Sequence, residues 1–185
     1  MLKIAIVVAD GSEDIEVVTP TDIWRRSGII VKLISVEKKK NVILANGTKI
    51  SCESILLEEN LSQYNAIYLP GGKGYLKFND TNASKLVKFV QKNYNNPKMY
   101  FMALCAAPVC FYNWGIITPN LQLTCYPGMQ IGKFEKNYVN KPVVVSNNFV
   151  TGSGPGTAHI FALTVVELLC GRQIAEEIAQ KTLFK

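Results

Sequence analysis

Four short segments of the chain are apolar at nearly every position, instead of alternating between apolar and polar residues. They are residues 4–9, residues 29–36, Ala66–Leu69 and Tyr100–Leu104. Continuous runs of this length, rich in Ile and Val, are typical of parallel strands that are covered on both faces. The pattern therefore predicts a mostly parallel sheet.

Segments with the apolar spacing of a helix lie between these runs. They are residues 14–27, 82–94 and 157–169. Gly28 and Gly171 follow the first and the last of them, where glycine commonly ends a helix. Strands that alternate with helices predict an α/β fold with helices on both faces of the sheet.

One insertion in this order has the pattern of a small β-hairpin. Asn46 and Gly47 lie between the apolar stretches "VILA" and "TKISC", and this dipeptide supplies the positive φ angles that a tight hairpin needs. The 185 residues contain no repeat, low-complexity tract or linker, and they suffice for one core. We therefore expect a single domain that covers residues 1–185.

Composition and charge narrow the class of protein. Apolar residues make up 48% of the chain and charged residues 18%, which is typical of a globular domain and not of a disordered one. The net charge of +6 has one clear run, at residues 38–40, which we interpret as a solvated loop. No basic stripe interleaved with aromatic residues is present, so we expect no specific nucleic-acid partner. No apolar stretch is long enough to span a bilayer, and we expect no membrane partner.

The cysteines favour a reducing compartment. Five are present, at positions 52, 105, 110, 125 and 170, and none forms a CxxC pair. The single histidine, His159, is in no metal-ligand spacing, so we expect no structural zinc site. We predict a cytoplasmic protein with free thiols.

Cys105 is the first candidate for chemistry, because it lies where a strand should change to a helix. Ala106 and Ala107 leave room for a sharp turn, and Pro108 fits a first helical turn. Such a nucleophile elbow exposes the thiol at the edge of the sheet, near the positive end of a helix, which lowers the pKa of a thiol. The alternative is that Cys105 is a small buried hydrophobic residue.

A glycine-rich stretch, "LPGGKGY" at residues 69–75, is the second candidate. The spacing lacks the pattern of a phosphate loop. An oxyanion hole fits better, with the backbone N–H groups of Gly72 and Ala106 as the two donors. A turn that only reverses the chain is the alternative.

Glu16, in "DGSEDIEVVTP", is the third candidate. Its neighbours Ile15, Val17 and Val18 are apolar, and desolvation raises the pKa of a carboxyl, so a protonated Glu16 could donate a hydrogen bond to a thiolate. An exposed surface carboxylate is the alternative. Pro20 cannot donate to the Glu16 carbonyl, so we expect the helix to start late or to bend there.

Taken in order, four stretches of the chain resemble the DJ-one/ThiJ/PfpI superfamily, and most closely the branch that contains the Parkinson-disease-associated protein deglycase and chaperone. They are "GSEDIEVVTPTDIWRRSGI", "YLPGGKG", "ALCAAPVCF" and "SGPGTAHIFALTVVELLCGRQIAEEI". The resemblance implies a flavodoxin-like three-layer sandwich and a homodimer. It also implies that Cys105 is a nucleophile and redox-sensing cysteine, with Glu16 as its protonated partner and Gly71, Gly72 and Ala106 as the turn and oxyanion donors.

The resemblance further implies that Cys52 lies near the dimer interface, and that Arg25 and Arg26 belong to a helix of that interface. This chain departs from the family pattern at three positions. Tyr126 stands where relatives often carry a histidine, and Ser153 where an arginine is common. Ala107 replaces the usual glycine of the elbow, which we expect to be tolerated if the residue has an ordinary helical φ.

These features predict a cysteine-dependent glyoxalase or protein deglycase without a cofactor. Cys105 would attack α-dicarbonyls such as methylglyoxal, or glycated protein side chains, and Glu16 would transfer the proton. An alternative is a non-enzymatic redox sensor and chaperone that acts through oxidation of Cys105. A third possibility, an amidotransferase-like or peptidase-like hydrolase, requires His159 within reach of Cys105. A lone histidine in an apolar helical pattern is otherwise a packing residue.

Overall fold

A seven-stranded sheet forms the centre of residues 1–184, the part of the chain that the computed structural model describes. Lys185, the last residue of the predicted domain, lies outside the described residues. The structure describes nine strands, of which β3 and β4 form a separate pair outside this sheet. They are β1 (Lys3–Val8), β2 (Ile30–Ser35), β3 (Asn41–Ile43), β4 (Lys49–Ser51), β5 (Ser54–Ile55), β6 (Ala66–Leu69), β7 (Tyr100–Leu104), β8 (Val143–Ser146) and β9 (Phe149–Gly152). The helices are α1 (Asp14–Arg26), α2 (Ser84–Asn93), α3 (Pro108–Asn113), α4 (Ala158–Cys170) and α5 (Arg172–Lys181).

The order of the strands confirms the predicted parallel sheet. The strands lie in the order β5-β2-β1-β6-β7-β9-β8, and each pair is parallel except β8 with β9. The chain leaves β1 toward one edge for β2 and then returns to the other side of β1 for β6. In open α/β sheets, ligands bind outside the carboxyl ends of the strands at such a reversal of strand order.

Two hydrophobic cores cover the two faces of the sheet, because successive side chains of a strand point in opposite directions. Ala5 and Val7 belong to the core under α2 and α3, while Ile4 and Ile6 belong to the core under α1, α4 and α5. The three-layer sandwich of the sequence prediction is therefore confirmed.

The predicted hairpin is present as β3 and β4, which pair antiparallel, but its turn differs from the prediction. Only Gly47 has a positive φ, of 93°, whereas Asn46 does not. The Leu44 N–H donates to the Thr48 carbonyl at 2.8 Å, and the Gly47 N–H donates to the Leu44 carbonyl at 3.1 Å. A three-residue loop of this kind needs only one left-handed residue.

The helices of the described chain are short. Within residues 1–184, none is long and apolar enough to cross a bilayer.

Candidate active site

Three neighbouring strands end at one place, and each is followed by a residue that the sequence analysis selected. Glu16 comes after β1, Gly72 after β6 and Cys105 after β7. Because β1, β6 and β7 are adjacent and parallel, their carboxyl ends meet at the same edge of the sheet. The structure brings Glu16, Gly72 and Ala106 close enough to the Cys105 thiol for each of them to shift its pKa.

Cys105 has the backbone geometry of an elbow. Its φ is 61°, in the left-handed region that non-glycine residues rarely adopt. Its N–H donates to the Gly152 carbonyl at 2.9 Å, and its carbonyl accepts from the Tyr126 N–H at 2.8 Å. Ala107 has an ordinary helical backbone, with φ −65° and ψ −26°, which explains why alanine replaces glycine there.

The two glycines after β6 allow the backbone to approach the thiol. A Cβ at Gly71 would lie 2.7 Å from the Cys105 Cβ and 2.9 Å from Glu16 Oε2. Gly72 has a φ of 73°, and a Cβ there would lie 2.6 Å from the Glu13 nitrogen. The surroundings leave no room for a side chain at Gly71 or Gly72, so these glycines do more than reverse the direction of the chain.

Two backbone N–H groups from different parts of the chain lie near the sulfur. They are those of Gly72 and Ala106, and both lower the pKa of the Cys105 thiol. Donors held in this way can also stabilise negative charge on an oxygen bound next to the sulfur.

Glu16 is fully buried, with 0% of its surface exposed, so the alternative of a surface carboxylate is wrong. Its Oε2 accepts a hydrogen bond from the Gly71 N–H at 2.6 Å. Its Oε1 has no hydrogen-bond partner among the described residues. Burial, opposed by the Gly71 N–H and the Cys105 thiol and aided by the negative charge of Glu13, raises the pKa of Glu16 to about 7. Glu16 can therefore hold and release a proton near neutral pH.

The position of Glu16 depends on how α1 begins. Of the two alternatives predicted from Pro20, a late start or a bend, the late start is excluded, because α1 begins at Asp14 and continues through Pro20. The Tyr68 hydroxyl donates to the Glu16 carbonyl at 2.9 Å, in place of the N–H that Pro20 lacks. Glu13 caps the helix by accepting from the Glu16 N–H at 2.8 Å. The sequence analysis did not select Tyr68. Its signal was Pro20, because a proline inside a helix leaves the carbonyl four residues earlier in need of another donor.

The sequence predicted a lowered pKa for the Cys105 thiol, and that prediction was wrong. Cys105 is only 8% exposed. Burial, followed by the negative charge of Glu16, raises the pKa of the thiol to about 12, and the N–H groups of Gly72 and Ala106 offset only part of this. The predicted lowering came from the positive end of the helix that follows Cys105, and that helix, α3, has only six residues. Thiol and carboxyl lie so close that they compete for one negative charge.

His159 does not pair with the cysteine. Its Nε2 lies 3.1 Å from the Thr182 hydroxyl, and its ring stacks on Phe184 with centroids 4.3 Å apart. The histidine that a hydrolase dyad needs is thus engaged elsewhere. Within residues 1–184, no group of three or more His, Cys, Asp or Glu side chains is arranged to hold a metal ion.

The structure also places Tyr126, Ser153 and Cys52, the other residues that the sequence analysis named. Tyr126 is bound to the elbow through its backbone, and its half-exposed ring lies beside Gly154, whose Cβ would be 3.6 Å from Tyr126 Cδ2. Ser153 donates its backbone N–H to the Pro142 carbonyl at 2.9 Å. Cys52 is buried in the core under α1 and α4.

Comparison with known proteins agrees with the fold and the motifs. The sequence profile of the DJ-1/PfpI family matches residues 2–168. The chain belongs to the DJ-1/PfpI family. It is 33% identical to the Parkinson disease protein 7 homolog of Danio rerio over 186 residues, which cover 97% of this chain and 96% of that protein. It is 27% identical to the glutathione-independent glyoxalase DJ-1 of Schizosaccharomyces pombe, over 93% of each chain.

Solved structures of DJ-1/PfpI proteins share the fold. Oxidized Toxoplasma gondii DJ-1 superposes with a TM-score of 0.93 at 27% identity, covering 100% of this chain and 99% of that one. Some DJ-1/PfpI proteins are longer, and the chain spans 41% of the DJ-1 homolog B of Arabidopsis thaliana. The comparisons thus support an activity of the DJ-1 type.

Proposed function

We propose that this chain converts reactive α-dicarbonyls such as methylglyoxal into hydroxy acids, with Cys105 as the nucleophile and without a cofactor. The observation that carries the proposal is the buried carboxyl of Glu16, with a pKa of about 7, in contact with a cysteine at an elbow. The Schizosaccharomyces pombe relative named a glutathione-independent glyoxalase supports the same chemistry.

The reactive state is the thiolate of Cys105 beside the protonated carboxyl of Glu16. An ionised Glu16 opposes ionisation of the thiol, whereas a protonated one removes the repulsion and donates a hydrogen bond to the sulfur. Glu16 Oε1, which lacks another partner, is the oxygen that carries this proton. The pair then needs no histidine.

The reaction begins with attack of the sulfur on the aldehyde carbon. This forms a C–S bond, and the carbonyl π electrons move to oxygen, where the N–H groups of Gly72 and Ala106 stabilise the charge. The oxyanion of the hemithioacetal takes the proton of Glu16, which leaves Glu16 as the carboxylate. Glu16 as carboxylate then removes the proton from the former aldehyde carbon and returns it to the neighbouring carbon.

This transfer oxidises the first carbon to a thioester and reduces the ketone carbon to an alcohol, so no external oxidant is needed. Water then hydrolyses the thioester, which releases the hydroxy acid and restores the thiol. An early adduct of a dicarbonyl with a protein side chain enters the same steps once the bond from its former aldehyde carbon to the side-chain nitrogen or sulfur breaks and that group leaves protonated, which gives a deglycase.

Replacement of Cys105 tests the proposal directly. Cys105→Ala should abolish methylglyoxal turnover by purified protein, measured as formation of lactate. Cys52→Ala is the matched control, because Cys52 is a buried thiol with a pKa also raised to about 12, mainly by burial, and no contact of Cys52 with Cys105 is described. Full turnover by Cys105→Ala would reject the assignment.

A redox sensor is the second candidate, and the free Oε1 of Glu16 favours it. A protonated Glu16 could donate to a sulfinate at Cys105 through Oε1, which has no partner among the described residues. One structural relative is oxidized Toxoplasma gondii DJ-1. Mass spectrometry after mild peroxide should then find sulfinate at Cys105, and negligible methylglyoxal turnover in the same preparation would favour the sensor and its chaperone role.

We further propose that the protein is a cytoplasmic homodimer that uses the outer surface of α1. Ile15 and Val18 are half exposed on this helix, and apolar side chains that share a helix face favour burial by a partner. Arg25 and Arg26 pair with Glu53 and Asp22, at 2.8 Å each. Sedimentation of the wild type and of Val18→Asp tests the dimer, and a monomeric wild type would contradict it.

A further inference from the structure

The segment that follows Gly72 connects the two halves of the site. It is the 3-10 helix Lys73–Asn79, here called the strap. The strap lies between the loop that leads into α1, which carries Glu16, and helix α3, which follows Cys105. Two side chains of the strap, Lys77 and Asn79, hold it to these two neighbours.

The first anchor joins the strap to the ends of β1 and β2. Lys77 Nζ lies 2.6 Å from Glu37 Oε1 and 3.8 Å from Asp10 Oδ2. The Gly74 N–H donates to the Gly11 carbonyl at 2.8 Å. The strap therefore moves with the loop that precedes Glu16.

The second anchor is Asn79, and all its side-chain partners belong to α3 or to the residue that ends it. Asn79 Nδ2 donates to Cys110 Sγ at 3.8 Å. Asn79 Oδ1 accepts from Trp114 Nε1 at 3.1 Å and from Asn113 Nδ2 at 3.4 Å. The Cys110 thiol also donates to the Tyr75 carbonyl of the strap, at 3.6 Å.

We propose that Asn79 is a positioning residue that sets the distance between the two N–H groups aimed at Cys105. This inference rests on the proposed function. Gly72 immediately precedes the strap, and Ala106 lies two residues before α3, so the donors belong to two chain segments. Asn79 joins those segments by side-chain hydrogen bonds, and its loss lets the Gly72 N–H move relative to the Ala106 N–H.

The chemistry of the position explains why an amide suits it. Asn79 presents an oxygen to two N–H donors and an N–H to a sulfur, and no other uncharged side chain of this length does both. Asn79 is exposed, but its replacement by alanine leaves the indole N–H of the buried Trp114 without its acceptor, so some loss of Tm is expected. Asn79→Asp keeps that acceptor and so separates a loss of stability from a change in the spacing of the donors.

Steady-state kinetics on methylglyoxal test the proposal. Removal of an oxyanion donor typically lowers kcat by about 100- to 1000-fold, so a displaced donor in Asn79→Ala should lower it about tenfold, with KM changed by less than about twofold. Asn79→Asp keeps the oxygen acceptor and should recover most of the loss. Asn95→Ala, an exposed asparagine for which no side-chain hydrogen bond is described, is the matched control.

Three outcomes would overturn the role of Asn79. They are an unchanged kcat in Asn79→Ala, a loss of Tm without a loss of kcat, and an Asn79→Asp variant no better than Asn79→Ala. A double-variant cycle with Trp114→Phe adds a further check. Since both changes remove the same hydrogen bond, their effects on kcat should be less than additive, and additive effects would contradict the proposal.

A second measurement separates this inference from the proposed function. Alkylation of Cys105 by iodoacetamide needs only the thiolate, and the Gly72 and Ala106 N–H groups favour that thiolate. The wild type and Asn79→Ala both keep Glu16, the titratable side chain that faces the sulfur, and Glu13 behind it. A difference between their alkylation profiles therefore does not come from the loss of either carboxyl. If the wild type lacks turnover, the alkylation pH profile of Asn79→Ala should still move to higher pH, and an unmoved profile would reject Asn79 alone.

Discussion

Two buried glutamates in this protein have opposite charge behaviour. Glu16 is 0% exposed and Glu59 is 5% exposed. Burial alone raises the pKa of both carboxyls, and for Glu16 the net result is a pKa of about 7. For Glu59, hydrogen bonds, led by that from Lys32, outweigh burial and lower the pKa to about 2.

The partners explain the difference. Glu59 accepts from Lys32 Nζ and from the Tyr64 hydroxyl, the latter at 2.6 Å. Glu16 has one backbone N–H donor and, instead of a cation, the negative charge of Glu13. A buried carboxylate with a cation fixes its charge and stabilises a structure, whereas one without a cation is free to exchange a proton. This contrast is the main electrostatic argument that Glu16 belongs to a catalytic site.

Exchange of each glutamate for glutamine should separate the two roles most strongly. General acid–base groups contribute about 100- to 10,000-fold to a rate, so Glu16→Gln should lower the kcat for methylglyoxal by a factor in this range. Folded Glu59→Gln should keep kcat within about twofold, because Glu59 has no described contact with Cys105. Equal losses in the two variants would contradict the contrast.

A methyl group at Gly71 should disturb the site around Glu16 and leave Glu59 unaffected. The added Cβ would lie 2.7 Å from the Cys105 Cβ and 2.9 Å from Glu16 Oε2, so carboxyl and thiol must separate. A displacement of about 1 Å typically lowers a rate about 100-fold, which is the loss of kcat expected for Gly71→Ala. Gly156→Ala is the control, since a Cβ there meets nothing within 4 Å. A fully active Gly71→Ala would show that the close approach is not required.

The pH dependence of unfolding should distinguish the two carboxyls by sign. The folded state holds the Glu16 proton more tightly than the unfolded chain, so this stabilisation is present below the usual carboxyl pKa of 4.5 and is lost as pH rises through about 7. Glu59 has a lowered pKa, so its contribution is present above 4.5 and is lost as pH falls through about 2.

Each contribution is on the order of 3 kcal/mol, since one pKa unit corresponds to about 1.4 kcal/mol. Urea unfolding from acid to neutral pH measures both. Glu16→Gln should remove the loss of stability between pH 4.5 and about 7, and Glu59→Gln should remove the loss between 4.5 and about 2. Profiles that change in the same pH interval would disprove the assignment.

The smallest expected effect concerns the backbone that holds Glu16. Tyr68→Phe removes the donor to the Glu16 carbonyl and should lower the free energy of unfolding by about 1–3 kcal/mol, the cost of an unsatisfied buried acceptor. Pro20→Ala restores an N–H four residues after Glu16 and should make the Tyr68→Phe change less costly. Independent effects of the two substitutions, measured by urea unfolding, would rule out the exchange of donors.

Much of the site followed from local sequence, because its parts are strand ends and turns. Cys105 and Gly72 each follow a continuous apolar run, which places both at the same edge of a parallel sheet. Their neighbours Ala106 and Gly71 are adjacent in the chain. The apolar flanks of Glu16 left its burial open against an exposed surface carboxylate, and the structure decides for burial.

The electrostatics did not follow from local sequence. The raised pKa of the Cys105 thiol depends on burial and on Glu16, which is far away along the chain. The Tyr68 hydroxyl reaches the Glu16 carbonyl across 52 positions. Such long-range pairs leave no periodic signal, so composition and spacing cannot report them.

Two strands, β8 and β9, were missed for a different reason. Their apolar stretches are short, but Asn147 and Asn148 between them form a two-residue turn, with a φ of 53° at Asn147. Asparagine tolerates this conformation, so the dipeptide was an available hairpin signal. The Asn148 amide also donates to the carbonyls of Tyr94, Asn96 and Met99, which ties the hairpin to the chain before β7.

The left-handed backbone of Cys105 affects which residues the position can tolerate. A side chain with φ of 61° is disfavoured by about 1–2 kcal/mol relative to glycine. Glycine at position 105 would relieve this strain and at the same time delete the sulfur. Relaxed backbone geometry and reactivity therefore favour different residues at this position, and the elbow keeps its sulfur at a cost in backbone energy.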